Sequence, residues 1–160
     1  MGAWSRNGLI LFSGEDRQGL WAVPATGGQP RPVTALDASR KDFHHAWPKF
    51  LPDGRHFIFM IQSAQPENTG IYAGSLDAKV SKQLLNISGN PSYTESSAAQ
   101  GYLLFMQGST LMAQALDTSS LEVHGERFPV AEQVLLPPSN AQGFAAYSVS
   151  SNGMLAYPYA

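Results

Sequence analysis

One phrase recurs along the chain: a glycine followed at once by a short apolar run. It stands at Gly8-Leu9-Ile10-Leu11-Phe12, at Gly54-Arg55-His56-Phe57-Ile58-Phe59, at Gly101-Tyr102-Leu103-Leu104-Phe105 and at Gly153-Met154-Leu155-Ala156-Tyr157. Successive glycines are 46, 47 and 52 residues apart. A period of this length marks a repeat architecture, in which each module buries its apolar face only against the next copy. Each period holds short runs of alternating apolar and polar residues separated by turn residues, and helical periodicity is nearly missing; 15 Gly and 11 Pro punctuate the chain. The predicted fold class is all-β: propeller blades, each a four-stranded antiparallel meander.

The whole chain, 1–160, reads as one partial propeller of about three blades. The units fall at 4–36, 43–87 and 91–134, with a partial unit at 144–159. The first has strands at 9–13, 20–24 and 31–36 and no innermost strand. The second is the fullest, with strands at 43–51, 56–62, 70–76 and 81–87, and Phe57, Phe59 and Ile61 share one face of its second strand. The third repeats that order. The last gives strands at 145–150 and 154–159. Pro32 and Pro129 occupy the fourth-strand slot of their units, which suits an edge, because proline removes a ladder donor. Propellers close with about four to eight blades. Closure by oligomerisation is therefore expected, with the strand from Phe144 to Ser150 completing the first blade of a neighbouring chain and two chains giving a six-bladed ring.

Composition narrows the function classes. Apolar residues make up 43% and charged residues 14% of the chain, which argues against disorder. The net charge is -2 and the ten Lys and Arg are scattered, so no basic stripe marks a nucleic-acid surface. Cysteine is absent, which removes disulfides, thiolate metal sites and cysteine nucleophiles and leaves the compartment open. No run of about 18 apolar residues and no signal-peptide pattern occurs, so a soluble segment without membrane contact is expected.

The phrase Phe50-Leu51-Pro52-Asp53-Gly54-Arg55-His56-Phe57-Ile58-Phe59 resembles the Pro-Asp-Gly signature of WD40-like (PD40), TolB-type β-propellers. Gly19-Leu20-Trp21-Ala22-Val23-Pro24 with Gly27-Gly28, and Gly70-Ile71-Tyr72 with Leu76-Asp77, are similar to the partner phrases of that repeat. The likeness runs from about Trp4 to Tyr157 and is nearest to propeller regions attached to bacterial serine/threonine kinases. Ala99-Gln100-Gly101 departs from it where a Pro-Asp-Gly turn belongs. The resemblance implies a propeller and a sensor-type binding role within a larger signalling protein. The kinase's own glycine-rich phosphate loop and His-Arg-Asp motif are not in the chain.

Catalytic patterns are thin. No Gly-x-Ser-x-Gly elbow occurs, and the carboxylates are spread out apart from Glu15-Asp16 in a loop. Asp53 and Gly54 read as a structural turn, as do Asp77 and Asp117 in equivalent hairpins, because aspartate bonds its own backbone and glycine accepts positive φ. In Asp42-Phe43-His44-His45-Ala46-Trp47 the adjacent histidines point to opposite strand faces and cannot chelate one ion together. No metal site and no cofactor is therefore expected. Asn86-Ile87-Ser88 matches a glycosylation acceptor, a tripeptide common by chance. Binding is expected at a channel mouth built from His44, His45, Trp47, Tyr93, Glu95 and Tyr147, since strand ends on rigid scaffolds often carry ligands. The expected function is a non-catalytic binding and interaction scaffold that self-associates as a homodimer and takes a protein or small-molecule ligand. The alternatives are a propeller-fold lyase or hydrolase with a polar channel site, and a fragment of a longer propeller with no function of its own.

Overall fold

The computed structural model describes residues 1–14, 18–96, 101–137 and 144–158. The pair Glu15-Asp16 and the departure at Ala99-Gln100 lie outside the described residues. The architecture is all-β and antiparallel: three four-stranded meanders and one two-stranded hairpin. The first sheet is β1 (Gly2–Trp4), β2 (Leu9–Ser13), β3 (Leu20–Pro24) and β4 (Arg31–Pro32), in that order. The second is β5 (Asp42–Phe50), β6 (His56–Ser63), β7 (Gly70–Ser75) and β8 (Ala78–Leu85). The third is β9 (Ser92–Glu95), β10 (Gly101–Gln107), β11 (Thr110–Asp117) and β12 (Glu122–Ala131). The hairpin is β13 (Ser148–Val149) with β14 (Leu155–Ala156).

The glycine phrases land on β2, β6, β10 and β14, the second strand of each sheet. Gly8, Gly54 and Gly153 hold φ of 72°, 66° and 85° immediately ahead of three of these strands, a conformation glycine enters without steric cost. At Gly54 an added Cβ would also stand 2.8 Å from the Asn7 side-chain nitrogen, which would have to shift. Gly101 has no positive φ and begins β10 itself.

The first sheet corrects the sequence reading. Its innermost position is filled by β1, with Gly2, Ala3 and Trp4 opposite Phe12, Leu11 and Ile10. A three-residue strand carries no alternation to read, so only the pairing reveals it. The fourth strand is shorter than expected, Arg31–Pro32 alone. The edge positions of Pro32 in β4 and Pro129 in β12 agree with the missing amide donor, and β12 slips register against β11 on either side of Met112 and Ala113.

The chain divides into two compact units, Met1–Ser88 and Gly89–Ala160. In the first, Leu11, Leu20 and Ala22 of one sheet are buried with Phe57, Phe59, Ile61 and Tyr72 of the other. Phe57, Phe59 and Ile61 are spaced by two, so one face of β6 supplies the contact. The intervening Ile58 and Met60 are also buried, at 0% and 1% exposure, which makes β6 a two-sided central strand. In the second unit, Leu104, Met106, Leu111 and Ala113 pack with Ala131, Val134 and Ala145, and Tyr147, Val149 and Leu155 close over them. Asn90 ties this core by two bonds to Ala145, donating to its carbonyl at 3.1 Å and accepting from its amide at 2.8 Å. No helix among the described residues is long and apolar enough to cross a membrane.

Candidate functional site

The loop from β4 to β5 builds the most chemically distinctive place in the first unit. Asp37 accepts from the Ser39 amide at 2.9 Å and opens a single 3-10 turn, Ala38–Arg40. Lys41 closes the turn at φ 55°. The turn brings the Arg40 guanidinium over the Tyr72 ring, 5.4 Å from its centroid, and into a hydrogen bond with the Tyr72 hydroxyl. That hydroxyl donates to the Asn68 carbonyl at 2.8 Å. β5 then carries Asp42 and His45 inward from the same corner.

The two histidines obey the strand alternation. His44 stands opposite Gln62 and His45 opposite Ile61, and both are buried. The His45 ring meets Phe59 edge-on at 5.3 Å, on the face that packs against the first sheet. The Thr34 hydroxyl lies 2.8 Å from His45 Nδ1 and accepts the Leu20 amide at 2.8 Å. Beyond Ala46 the ladder breaks before Lys49, and Trp47 sits in the bulge at φ 49°. A bulky residue there costs of order 1–3 kcal/mol, and burial of the indole with Ala46 and Met60 offsets it.

Asp42, His45, Arg40, Tyr72, Thr34 and Lys79 line a cavity of about 250 Å³. The side chains of His45 and Asp42 are 3% and 2% exposed, with Nε2 and Oδ2 3.9 Å apart. Oδ1 of Asp42 and Nε2 of His45 have no hydrogen-bond partner among the described residues. Burial raises the Asp42 carboxyl above its ordinary range, opposed by the Asp37 amide and the Arg40 charge. Burial drives the His45 imidazole down to about 4, and the neighbouring His44 and Arg40 charges push the same way.

Thr34, His45 and Asp42 outline a hydroxyl–imidazole–carboxylate series, but its geometry does not suit a nucleophile. The Asp42–His45 separation exceeds hydrogen-bond range, an imidazole near pKa 4 is a weak base, and the Thr34 hydroxyl is occupied holding the Leu20 amide. Among the described residues no group of three or more His, Asp or Glu side chains is placed to hold a metal ion.

The other residues predicted for a channel mouth belong to the second unit. The Tyr147 hydroxyl donates to the Asn90 carbonyl at 2.5 Å, and burial raises its pKa. Tyr93 stands opposite Leu103 in the β9–β10 ladder, and burial raises its hydroxyl as well, with Glu95 adding to the effect. Glu95 is exposed, and its amide donates to the Ser151 carbonyl at 3.0 Å. Asp53 accepts from the Arg55 and His56 amides at 2.9 Å each and from His56 Nδ1 at 2.5 Å. Asp77 pairs with Arg55 at 2.6 Å on the surface, and Asp117 accepts from the Ser119 hydroxyl and from the Ser120 and Ser119 amides, which together hold its carboxyl down at about 2. The Asn86 amide donates to the carbonyls of Pro66, Glu67 and Thr69.

Of the residues expected at a channel mouth, His45 alone is among those lining this cavity; Arg40, Thr34, Tyr72 and Lys79 were not singled out. Asp42 and His45 stood three apart in one polar run, which was the available signal. Nothing in the spacing of Thr34, Arg40 and Tyr72 marks them as neighbours, because the turn and two sheets assemble them.

No family model matches the chain, and no curated protein matches it. Among solved structures it is similar to the β-propeller domain of the trilobed protease from Pyrococcus furiosus, described as having an open velcro topology, with a TM-score of 0.54 and 17% identity over 81% of this chain and 41% of that one. It is also similar to TolB from Acinetobacter baumannii, with a TM-score of 0.53 and 17% identity over 84% of this chain and 32% of that one. The chain thus spans less than half the length of either. The likeness establishes the fold: the meanders are propeller blades.

Proposed function

We propose that this stretch of propeller blades is a non-catalytic binding scaffold whose ring is completed by self-association into a homodimer. The observation that carries the reading is the exposed apolar face of the third sheet beside a two-stranded hairpin. β13 and β14 form a sheet of two strands, and among the described residues no third strand pairs with β14. The hairpin covers the inner strands of the third sheet but leaves Phe128 and Val130 of β12 at 44% and 42% exposure. In the first unit Val33, the residue after the equivalent outer strand, packs partly buried against the core shared with the second sheet. An apolar stripe and an unpaired strand edge together favour an added partner. Propellers close with about four to eight blades, and the three complete sheets of each chain would supply six in a dimer.

The route to closure differs from the one the sequence suggests. β1 already fills the innermost slot of the first sheet, so a neighbour's strand from Phe144 to Ser150 has no vacancy there. The dimer joins instead through the uncovered third-sheet face and the β14 edge. The resemblance to kinase-attached propellers supports a sensor-type role. An enzymatic reading finds no support in the site geometry, for the reasons given for Thr34, His45 and Asp42.

Sedimentation equilibrium at micromolar concentration tests self-association. The expected mass is twice that of the 17.3 kDa chain. A stable, folded monomer overturns the proposal, and so does an open-ended series of aggregates, which identifies a segment of a longer ring.

A further inference from the structure

We infer that the dimer joint is head-to-tail: the outer face of the first sheet of one copy, led by Trp4, docks on the third-sheet groove of the second copy. The inference rests on the self-association proposed above and names the surface that meets Phe128 and Val130.

Strand register builds the docking face. Leu11 and Ala22 stand opposite one another and are buried with the second sheet, so their neighbours along β2 and β3 point the other way. Those neighbours are Ile10 and Phe12, opposite Val23 and Trp21. Trp4 of β1 stands opposite Ile10 and joins the same face. The four residues on β2 and β3 are half-buried, while Trp4 is 68% exposed. The face repeats a contact already made within the first unit. Phe59 stands opposite Tyr72 as Phe12 stands opposite Trp21, and Phe59 and Tyr72 are buried together with Leu11 and Ala22. The third sheet offers a matching surface, with Leu104 opposite Ala113 as Leu11 is opposite Ala22. Leu104 and Ala113 line an apolar groove of about 260 Å³, walled by Tyr102, Phe128, Val130 and Leu155.

Charge decides which face of the second copy meets the groove. Met1–Ser88 holds nine Lys and Arg against seven Asp and Glu, a net +2, while Gly89–Ala160 holds one against five, a net -4. Two third-sheet faces docked on one another would oppose -4 with -4. A first-sheet face brings +2 to -4, which draws the partners together. A projecting tryptophan is also among the side chains that most often anchor an interface. Each chain carries both faces, so two such joints close a pair of chains.

Sedimentation equilibrium of the full chain and of two variants, Trp4→Glu and Phe128→Glu, tests the joint, with each fold checked by far-UV dichroism. Each variant alone is expected to raise the dimer dissociation constant about tenfold or more. Mixed in equal amounts, the two are expected to regain dimer mass, since the mixed pair holds one joint with both native faces. The unmodified chain gives a readout that needs no variant: raising NaCl from about 50 to about 500 mM should weaken the dimer severalfold by screening. A dimer that folded Trp4→Glu leaves intact overturns this inference alone. So does a mixture that stays monomeric, or a dimer that tightens with salt. An unmodified chain that sediments as a monomer overturns self-association itself, and this joint with it.

Discussion

Asp53 holds its turn with three bonds from one carboxylate, to two backbone amides and to the His56 ring, while Gly54 supplies the positive φ between them. Replacing Asp53 with Ala leaves both amides to solvent, and a loss of about 1 kcal/mol in a urea melt is expected; no loss would mean the turn holds itself. His45 presents a different case, because its proton affinity is set by the interior. Its folded pKa, about 4, lies below the ordinary 6.5, so the unfolded chain takes up the proton first as pH falls. The stability it contributes is complete above about pH 6.5 and is lost progressively from there down to about 4. Asp42 works in the opposite sense: its raised carboxyl favours the folded state on acidification, a gain that sets in above the unfolded value of 3.8 and is complete below it. Between pH 6.5 and 5 the histidine alone accounts for roughly 2 kcal/mol. Urea melts at several pH values should show this slope, and His45→Gln should flatten it; an unchanged slope would assign the acid sensitivity elsewhere.

β6 is the element on which the first unit depends. One of its faces carries Phe57, Phe59 and Ile61 against the first sheet, and the other buries Ile58 and Met60. Phe59 also touches Phe57, Tyr72 and His45 through ring contacts of 5.5, 6.2 and 5.3 Å between centroids. Truncating it to Ala should cost about 3–5 kcal/mol, the range for a buried phenylalanine, and a scan by thermal melting checks this. A smaller loss would show that the two sheets repack around the gap. The Asp42–His45 cavity should be disturbed by the same change, since the His45 ring rests on Phe59. β5 shows the opposite character. Its ladder is interrupted on either side of the His44–Ala46 run, and Trp47 turns out of strand geometry ahead of Pro48. Those irregularities aim Asp42 and His45 at one cavity, which a regular strand with odd spacing between them would not do.

At the scale of the molecule the repeat accounts for both the buried cores and the apolar residues left exposed on the third sheet. Within each unit a sheet buries one face on its neighbour, and the two-stranded hairpin of the second unit leaves apolar side chains of the third sheet exposed. Phe128 and Val130 mark that surface, and the sedimentation mass is the measurement that decides whether a second copy covers it. If it does, Phe128→Glu should return the mass toward that of one chain without unfolding it, because the substitution places a charge where desolvation is required.

The sequence alone determined the blade period, the antiparallel strands and the glycine turns ahead of β2 and β6, because these follow from local chemistry: alternation, proline at edges and positive φ at glycine. It also determined that His44 and His45 face apart. Only the tertiary structure decided that Gly2–Trp4 completes the first sheet, since three residues hold no pattern, and that Thr34, Arg40 and Tyr72 gather around Asp42 and His45. Those residues meet through pairing between strands distant in the chain, and such contacts leave no periodic trace in the order of the amino acids.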